Sequence, residues 1–429
     1  MEHIERDDFV TFFTQLNRTL HARVASHLLG GCSDCLALAR QVLLDRGVPC
    51  SPPSSRDLAM VLLDQAALLK EDRSRAAARW ARLAVLGEKE RLAAVQVRRG
   101  LRNYSLSSYL LDEAAALAKR KQYAPAAALV RLSAEIGCCL PSRVYGAGPL
   151  ADLRLRQETM LANIHRLGLE FPEALKALDR AERYRDRGID PTERAHFFRE
   201  RASLVGALGD FEEAAKSAGQ AAALYEGLFD GPRQGKALVQ QAICVSLVDL
   251  HAALDLANEA IPLLTAEPKS LLLGSYTKCY CLAKLGQSQE AEALYAAQRE
   301  RIRQVGEVEP DLWFKYIEAL LLKAKGQLHD ADVLLRFVAL RFQEEGNLLA
   351  MLVQHLERIR IKIEAGRWKS ALSIATSLTP ELARLGLRND LLGMWATLQD
   401  ALAQQRDVVG EIEDFFRRHW IAPRRLARG

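Results

Sequence analysis

The stretch "LGDFEEAA" (Leu208–Ala215) decides the fold, because it is one copy of a pattern that recurs along most of the chain. Each copy has a helix end, a glycine or another turn residue, an aromatic or other large residue, two further residues and an alanine. The pattern's alanines are Ala126, Ala174, Ala214, Ala253, Ala291, Ala331 and Ala371. They follow one another at intervals of 38 to 48 residues, which is the spacing of a helical repeat array.

Each repeat is predicted to form two amphipathic helices joined by a tight turn. An alanine at the start of the second helix lets the first helix approach closely. The position twelve residues before each turn alanine is also mostly small, and it holds Ala114, Ala162, Ala202, Gln241, Cys279, Ala319 and Ile359. A single hairpin cannot bury its own apolar face, so neighbouring hairpins must stack.

The turns "GDFEEA" (Gly209–Ala214) and "GRWKSA" (Gly366–Ala371) carry a resemblance to the tetratricopeptide repeat family, over roughly residues 56–397. That family has about 34 residues per repeat, whereas these repeats have about 40. Each helix is therefore expected to be longer by about one turn. The predicted fold class is all-α: a right-handed superhelical solenoid of about seven or eight elongated hairpins, preceded by a small helical domain.

Changes in composition predict the domain boundaries. The proline-rich and serine-rich stretch 47–55 is the clearest linker, and it separates a small helical domain at 1–46 from the rest. The repeat array is predicted to occupy 56–400, with a break near 137–150 where glycine and proline accumulate. A C-terminal helix and a basic tail are predicted at 401–429.

The N-terminal domain contains "HLLGGCSDC" (His27–Cys35), in which a histidine precedes two cysteines three residues apart. Residues at that separation lie on the same side of a helix, so Cys32 and Cys35 face together. With His27 on the preceding turn, the three side chains could converge on a metal ion. The competing interpretation is a metal-free hairpin in which both cysteines pack as small apolar residues.

The same stretch resembles the zinc-binding anti-sigma fold, whose motif is His-x3-Cys-x2-Cys with a fourth ligand upstream. This chain has one extra residue in the motif, and no cysteine precedes Cys32. The upstream candidates are His21 and His3, and His21 is a possible fourth ligand. The resemblance implies zinc at His27, Cys32 and Cys35, and it implies a domain that binds a protein partner such as a transcription factor.

The resemblance to tetratricopeptide repeats also implies a concave groove lined by the first helix of each hairpin. Counting back from the turn alanines gives an aromatic stretch that contains Tyr276, Tyr280, Trp313 and Tyr316, with Arg360 in the next repeat. Earlier repeats give a basic, hydrogen-bonding stretch with Arg156, Asn163, Arg166, His196 and Arg199. A peptide with acidic residues at one end and apolar residues at the other would suit this groove. Alternatively, the aromatic rings only pack between helices.

Composition and motifs exclude several classes of protein. Among 429 residues the net charge is only +5, so nucleic-acid binding is not expected for most of the chain. The basic tail could contact nucleic acid, but a disordered tail is the favoured interpretation. Phosphate-binding loops, dinucleotide fingerprints, zinc-protease motifs and nucleophile elbows are missing, so an enzyme is not expected. The acidic N-terminus, the lack of long apolar runs and the sparse cysteines predict a cytoplasmic protein without membrane spans.

These observations predict a bacterial-type, non-enzymatic scaffold or regulator. It would bind a protein or peptide partner in the concave groove and control a factor in transcription or defence. One alternative is a peptide-sensing receptor that acts on a separate DNA-binding partner. Another is an RNA-binding or enzymatic accessory subunit. Zinc at the N-terminal site is the one cofactor considered, and the oligomeric state stays open.

Overall fold

A computed structural model describes residues 3–14, 20, 24, 27–28, 32–44, 75–305, 308–344, 347–384 and 389–419. All the regular secondary structure in these ranges is helical, which confirms the predicted all-α class. The predicted linker at 47–55, the first residues of the array, His21 and the tail from 420 onward lie outside the described residues. No helix of the described part is long and apolar enough to cross a membrane.

The α-helices whose bounds are described in full are numbered in chain order. They are α1 Arg6–Thr14, α2 Ser33–Leu44, α3 Glu88–Val97, α4 Tyr104–Lys119, α5 Tyr123–Cys138, α6 Ser142–Tyr145, α7 Ala147–Leu167, α8 Phe171–Glu182, α9 Pro191–Ala207, α10 Phe211–Gly227, α11 Gly231–Val245, α12 Leu250–Leu263, α13 Pro268–Lys284, α14 Ser288–Val305, α15 Val308–Ala324, α16 Leu328–Glu344, α17 Leu348–Glu364, α18 Trp368–Arg384, α19 Asn389–Ala403 and α20 Val409–His419. Residues 75–84 are also helical, and Arg99–Leu101 form a short 3-10 turn.

The chain divides into two compact units. The first comprises residues 1–204 and 220–231, and the second comprises 205–219 and 232–429. In the first unit, α1 packs on α2, while α4–α5 and α7–α8 are hairpins in which each helix packs on its partner. The short helix α6 lies between α5 and α7, at the break predicted near 137–150.

In the second unit, successive helices from α12 to α19 pack against one another. The first helices of neighbouring hairpins also meet, as α13 does with α15. The helices α15 to α18 have 17 residues each, so the long hairpins predicted from the repeat length are present. The last helix, α20, departs from the simple alternation, because it packs on both α19 and α17.

The repeat pattern specifies the packing inside each hairpin. All seven turn alanines are completely buried. Six of the seven residues that precede them by twelve positions are buried as well, and only Gln241 is partly exposed. Small side chains are needed at both positions because protein interiors are close-packed and leave no room for larger ones.

Six of the seven turns have a left-handed residue five positions before the alanine. Gly209, Gly286, Gly326 and Gly366 have φ between +68° and +89° at this position. A left-handed residue is the usual way to end a helix, because it lets the following amides reach the last carbonyl groups. Two turns do this without glycine, since Lys121 has φ +60° and Leu169 has φ +61°.

The turn before α12 is built differently. Val248 occupies the equivalent position but is not left-handed. Here the side chain of Asp249 caps α12 by accepting hydrogen bonds from the amides of His251 and Ala252, at 2.9 and 3.0 Å. An aspartate at this position satisfies the amides that every helix leaves unpaired at its N-terminus.

Candidate functional site

The second unit contains a groove of about 360 Å³. It is lined in large part by the first helices of three hairpins, α13, α15 and α17. Its main side chains are Leu273, Tyr276, Tyr280, Trp313, Tyr316 and Val353. The four aromatic residues that the sequence placed in a groove therefore come together in one wall.

The rings of this aromatic wall touch one another across two helices. Tyr276 and Tyr280 lie one turn apart on α13, and the centroid of Tyr276 is 5.5 Å from that of Trp313 on α15. The Tyr280 and Tyr316 centroids are 6.3 Å apart. Tyr276, Tyr280 and Trp313 keep part of their surface exposed, whereas Tyr316 is buried. The rings thus pack between helices and also offer an accessible face.

The hydroxyl group of Tyr316 is buried and has no hydrogen-bond partner. Burial and the nearby charges of Glu357 and Glu413 raise the pKa of this phenol well above its ordinary value of 10, so it stays a neutral donor. A buried donor left without an acceptor costs roughly 1–3 kcal/mol. Tyr316 itself lines the groove, although its hydroxyl oxygen is not exposed there.

A cluster of charges lies one helical turn beyond the aromatic wall. Lys284 follows Tyr280 on α13, and its ammonium group is paired with the carboxylate of Glu357 on α17. Lys323 of α15 is 3.8 Å from the other oxygen of that carboxylate, and Arg360 is 2.8 Å from the first. Glu357, with 1% of its side chain exposed, is therefore surrounded by three cations.

Electrostatics keep the centre of this cluster ionised. Burial alone would raise the pKa of Glu357, but the charges of Lys284 and Arg360 lower it to about 2. Arg360 also reaches Glu413 of α20, at 2.7 Å. The structure therefore places Arg360, which the sequence assigned to the groove, in a double ion pair next to the aromatic wall.

The basic stretch predicted in the earlier repeats lies in the first unit, and carboxylates neutralise much of it. Arg156 is 2.5 Å from Asp112 and 3.9 Å from Glu193. Arg199 and His196 lie 2.7 and 3.3 Å from Glu200. Arg156 and Arg199 therefore form ion pairs with neighbouring carboxylates, and His196 lies against the same carboxylate as Arg199, so this region is not a row of uncompensated positive charge.

Arg166 and Asn163 form a separate pair in the same region. A guanidinium nitrogen of Arg166 donates to the Asn163 side-chain oxygen at 2.7 Å. Burial lowers the pKa of Arg166 somewhat, and its Nε is buried without a hydrogen-bond partner. A role of this region in partner binding stays a prediction.

Asp152 of α7 is a buried carboxyl group that the sequence did not single out. One oxygen accepts hydrogen bonds from the amides of Ile189 and Asp190, at 3.0 and 3.1 Å. Burial raises the pKa of Asp152 to about 7, and the charge of Asp190 adds to the effect. The carboxyl group therefore holds the segment that leads into α9 while it titrates near neutral pH.

A group of four possible metal ligands lies in the N-terminal part of the chain. Ligand atoms of His3, His27, Cys32 and Cys35 all lie within 4.8 Å of one another. The Nδ1 atom of His3 is 3.4 Å from each of the two sulfur atoms. The structure thus brings His27, Cys32 and Cys35 together, and it adds His3 as the fourth member.

No family model matches this chain, and no curated protein matches it in sequence. Solved structures do resemble it. A Rap protein complexed with competence and sporulation factor is 14% identical, and the match covers 74% of this chain and 88% of that chain with a TM-score of 0.57. Two further structures match more weakly. The apo form of RapI is 13% identical, and the match covers 60% of this chain and 97% of that chain with a TM-score of 0.43. Aspartyl phosphate phosphatase F from Bacillus subtilis is 12% identical, and the match covers 84% of this chain and 96% of that chain with a TM-score of 0.45. This chain is therefore similar in fold to a Rap protein, as a helical-repeat structure.

Proposed function

We propose that this chain is a non-enzymatic regulator that binds a peptide segment of a partner in the groove of its second unit. The observation that carries the proposal is the aromatic wall, in which Tyr276, Tyr280 and Trp313 keep exposed faces around a space of about 360 Å³. Aromatic side chains are the usual energetic anchors of protein interfaces. Stacked repeats are well suited to present them along an extended surface.

The comparison in fold supports a binding role. The Rap structure that this chain resembles was solved in complex with competence and sporulation factor. The groove itself favours binding over catalysis, because its walls are aromatic, aliphatic and neutral polar. The adjacent charges on Lys284, Glu357 and Arg360 are engaged with one another.

A peptide-display selection followed by calorimetry tests the proposal. Peptides selected on the full chain are expected to bind at least about tenfold more weakly to the Trp313→Ala and Tyr276→Ala variants, because a truncated anchor costs roughly 2 kcal/mol or more. The Phe337→Ala variant is the control, since Phe337 is an exposed aromatic residue of α16 outside the groove. Equal binding by all four proteins, each with an unchanged circular dichroism spectrum, would contradict the proposal.

A second function uses the same groove. In a peptide-sensing receptor, the peptide is the signal and a separate DNA-binding protein is the target. The resemblance to a Rap protein in complex with a factor favours this reading. The two functions are distinguished by adding a selected peptide to a purified complex of the chain with its protein partner. In the receptor, the peptide releases a partner that is bound away from the groove. In the scaffold, the peptide competes with the partner for the groove itself.

We also propose that the four-residue group of the N-terminal part binds zinc. Ideal tetrahedral zinc with ordinary Zn–S and Zn–N distances places a sulfur and a nitrogen ligand about 3.6 Å apart. The 3.4 Å distances from His3 to Cys32 and Cys35 are close to that value. A donor set of two histidines and two cysteines is typical of structural zinc, which favours His3 over His21 as the fourth ligand.

Metal analysis of the purified chain tests the zinc site. One zinc ion per chain is expected by native mass spectrometry, and His3→Ala and Cys32→Ser are expected to reduce the bound zinc strongly. Cys138→Ser is the matched control, because Cys138 is an exposed free thiol elsewhere in the first unit. Full zinc content in the His3→Ala variant would contradict the assignment of His3.

A further inference from the structure

The last helix lies against the face that forms the groove. α20 packs on α17 and α19, and its apolar residues Val409, Ile412 and Phe416 belong to the same buried cluster as Leu356 of α17. From this position Glu413 reaches Arg360 at 2.7 Å. Its charge also contributes to the raised pKa values of Lys284 on α13 and of Tyr316 on α15. One carboxylate of α20 therefore pairs with α17 and acts electrostatically on side chains of α13 and α15.

The charge balance of the cluster depends on this carboxylate. Three cations, Lys284, Lys323 and Arg360, face two buried carboxylates, Glu357 and Glu413. Glu364 pairs with Lys323 from a half-exposed position at the edge. If Glu413 withdrew, Arg360 would share Glu357 with two lysines. Because Arg360 is only 22% exposed and a partly buried charge without its partner is unfavourable, another anion is expected to take the place of Glu413.

The phenol of Tyr316 is a second, independent sign of a ligand. Its hydroxyl group is enclosed, has no hydrogen-bond partner and lies between the aromatic wall and the charged cluster. An acceptor oxygen next to an apolar side chain would satisfy it. The same oxygen chemistry, a carboxylate, is what Arg360 now obtains from Glu413.

We propose that α20 is a displaceable occupant of the charged end of the groove. The external ligand is then a peptide with apolar residues for the aromatic wall and an acidic residue that replaces Glu413 at Arg360. Binding of such a peptide releases α20 from α17. This inference rests on the proposed function and specifies its partner chemistry and its regulation, because the C-terminal helix competes with the ligand.

The full chain and its Glu413→Gln variant test the inference by hydrogen–deuterium exchange. The substitution removes the charge and keeps the shape, so amides of α20 are expected to exchange about tenfold faster or more, while those of α16 stay unchanged. Glu411→Gln is the matched control, because Glu411 lies on the same helix and is exposed. Unchanged exchange in the Glu413→Gln variant would overturn the inference.

A synthetic peptide with the sequence of residues 407–419, "DVVGEIEDFFRRH", serves as the probe. It is expected to bind the Glu413→Gln chain at least about tenfold more tightly than the wild-type chain, whose own helix is tethered at high effective concentration. The same peptide with glutamine at the Glu413 position is expected to lose that affinity. Equal affinity of the probe for both chains would also overturn the inference.

The experiments on α20 and the experiments on the proposed function can give negative results independently of each other. If peptides from display bind without regard to Trp313 and Tyr276, the aromatic groove is not the site, whatever α20 does. If those peptides depend on both rings but α20 exchanges alike in the wild-type and Glu413→Gln chains, the groove binds peptides and α20 is a fixed part of the fold.

Discussion

The sulfur atom of Cys279 in α13 lies 3.8 Å from the carbonyl oxygen of Ala291 in α14. The two residues are twelve positions apart, on either side of a tight turn, and both are completely buried. This contact shows what the repeat pattern specifies: the two helices of a hairpin approach closely where both side chains are small.

The size of the turn residue is therefore critical. The Ala291→Leu variant is expected to be destabilised by about 1–3 kcal/mol, because extra methylene groups must force the two helices apart. Ala297→Leu introduces the same change on the exposed face of the same helix, and it should have an effect within about 0.5 kcal/mol. Chemical denaturation followed by circular dichroism compares the two, and equal destabilisation would contradict the packing argument.

Lys121 holds a left-handed conformation that glycine adopts without strain. The Lys121→Gly variant is expected to be more stable by about 1 kcal/mol. A left-handed residue with a Cβ atom costs roughly 1–2 kcal/mol, and the greater flexibility of glycine in the unfolded chain offsets part of the gain from removing that cost. Val248→Gly is the control, since Val248 occupies the same repeat position without a left-handed backbone. There, glycine should bring no gain in the thermal midpoint.

Glu357 should make the second unit sensitive to acid. Folding lowers its pKa from 4.5 to about 2, so its carboxylate stabilises the native state above about pH 4.5, and this stabilisation is lost as the pH falls toward 2. Glu357→Gln is expected to cost up to about 3 kcal/mol at pH 7, because it leaves three partly buried cations without their shared partner. The loss should be smaller at pH 3.

A surface pair provides the control for Glu357. Glu292 and Lys325 form an ion pair in which both side chains are about half exposed. Exposed pairs contribute about 0–1 kcal/mol, so Glu292→Gln should change the thermal midpoint little at either pH. Denaturation of all three proteins at pH 7 and pH 3 decides the matter, and a loss in Glu357→Gln that does not vary with pH would refute the electrostatic account.

Asp152 should have the opposite dependence on pH. Folding raises its pKa from 3.8 to about 7, so its contribution to stability is greatest below about pH 3.8 and is lost as the pH rises through 7. Asp152→Asn keeps an acceptor oxygen for Ile189 and Asp190 and removes the charge. It is therefore expected to stabilise the chain at pH 8.5, by up to about 4 kcal/mol.

The pH profile of the Asp152 variant is the decisive measurement. The difference in thermal midpoint between Asp152→Asn and the wild-type chain should shrink between pH 8.5 and pH 5. Asp179→Asn provides the comparison, because Asp179 is exposed on the neighbouring helix α8. A constant difference at every pH would mean that the carboxyl group is already ionised in the native state at pH 5.

Much of the fold could be predicted because hairpin packing is local. The contact between Ala291 and Cys279, the left-handed turn residues and the helix lengths all depend on residues within one repeat. The aromatic wall could be predicted from the same periodicity, because Tyr276 and Tyr280 are one helical turn apart and Trp313 occupies a predicted groove position in the next repeat. Periodicity in the sequence translates directly into position on a face.

The charged half of the site could not be predicted in this way. Lys284, Glu357 and Glu413 look like ordinary solvated helix residues, but Lys284 pairs with Glu357 from a different hairpin, and Glu413 reaches Arg360 because α20 folds back onto α17. Such a contact between distant segments leaves no period in the sequence. The pairing of Arg156 with Asp112 has the same cause, because the carboxylate comes from a different hairpin.

The metal ligands show an intermediate case. The spacing of His27, Cys32 and Cys35 predicted that they would converge, since these residues are neighbours along the chain. The fourth member lies far upstream, where spacing gave no reason to prefer His3 over His21. The structure brings His3 to the sulfur atoms by packing α1 against α2.

The docking of α20 onto α17 has a consequence for folding cooperativity. A repeat array with only nearest-neighbour contacts can fray from its end, one helix at a time. The ion pair between Glu413 and Arg360 bridges over α18 and α19, so these helices cannot open outward without breaking it. α18 and α19 should consequently open only after α20 has left α17, so the slowest amides of α18 and α19 should exchange no faster than those of α20.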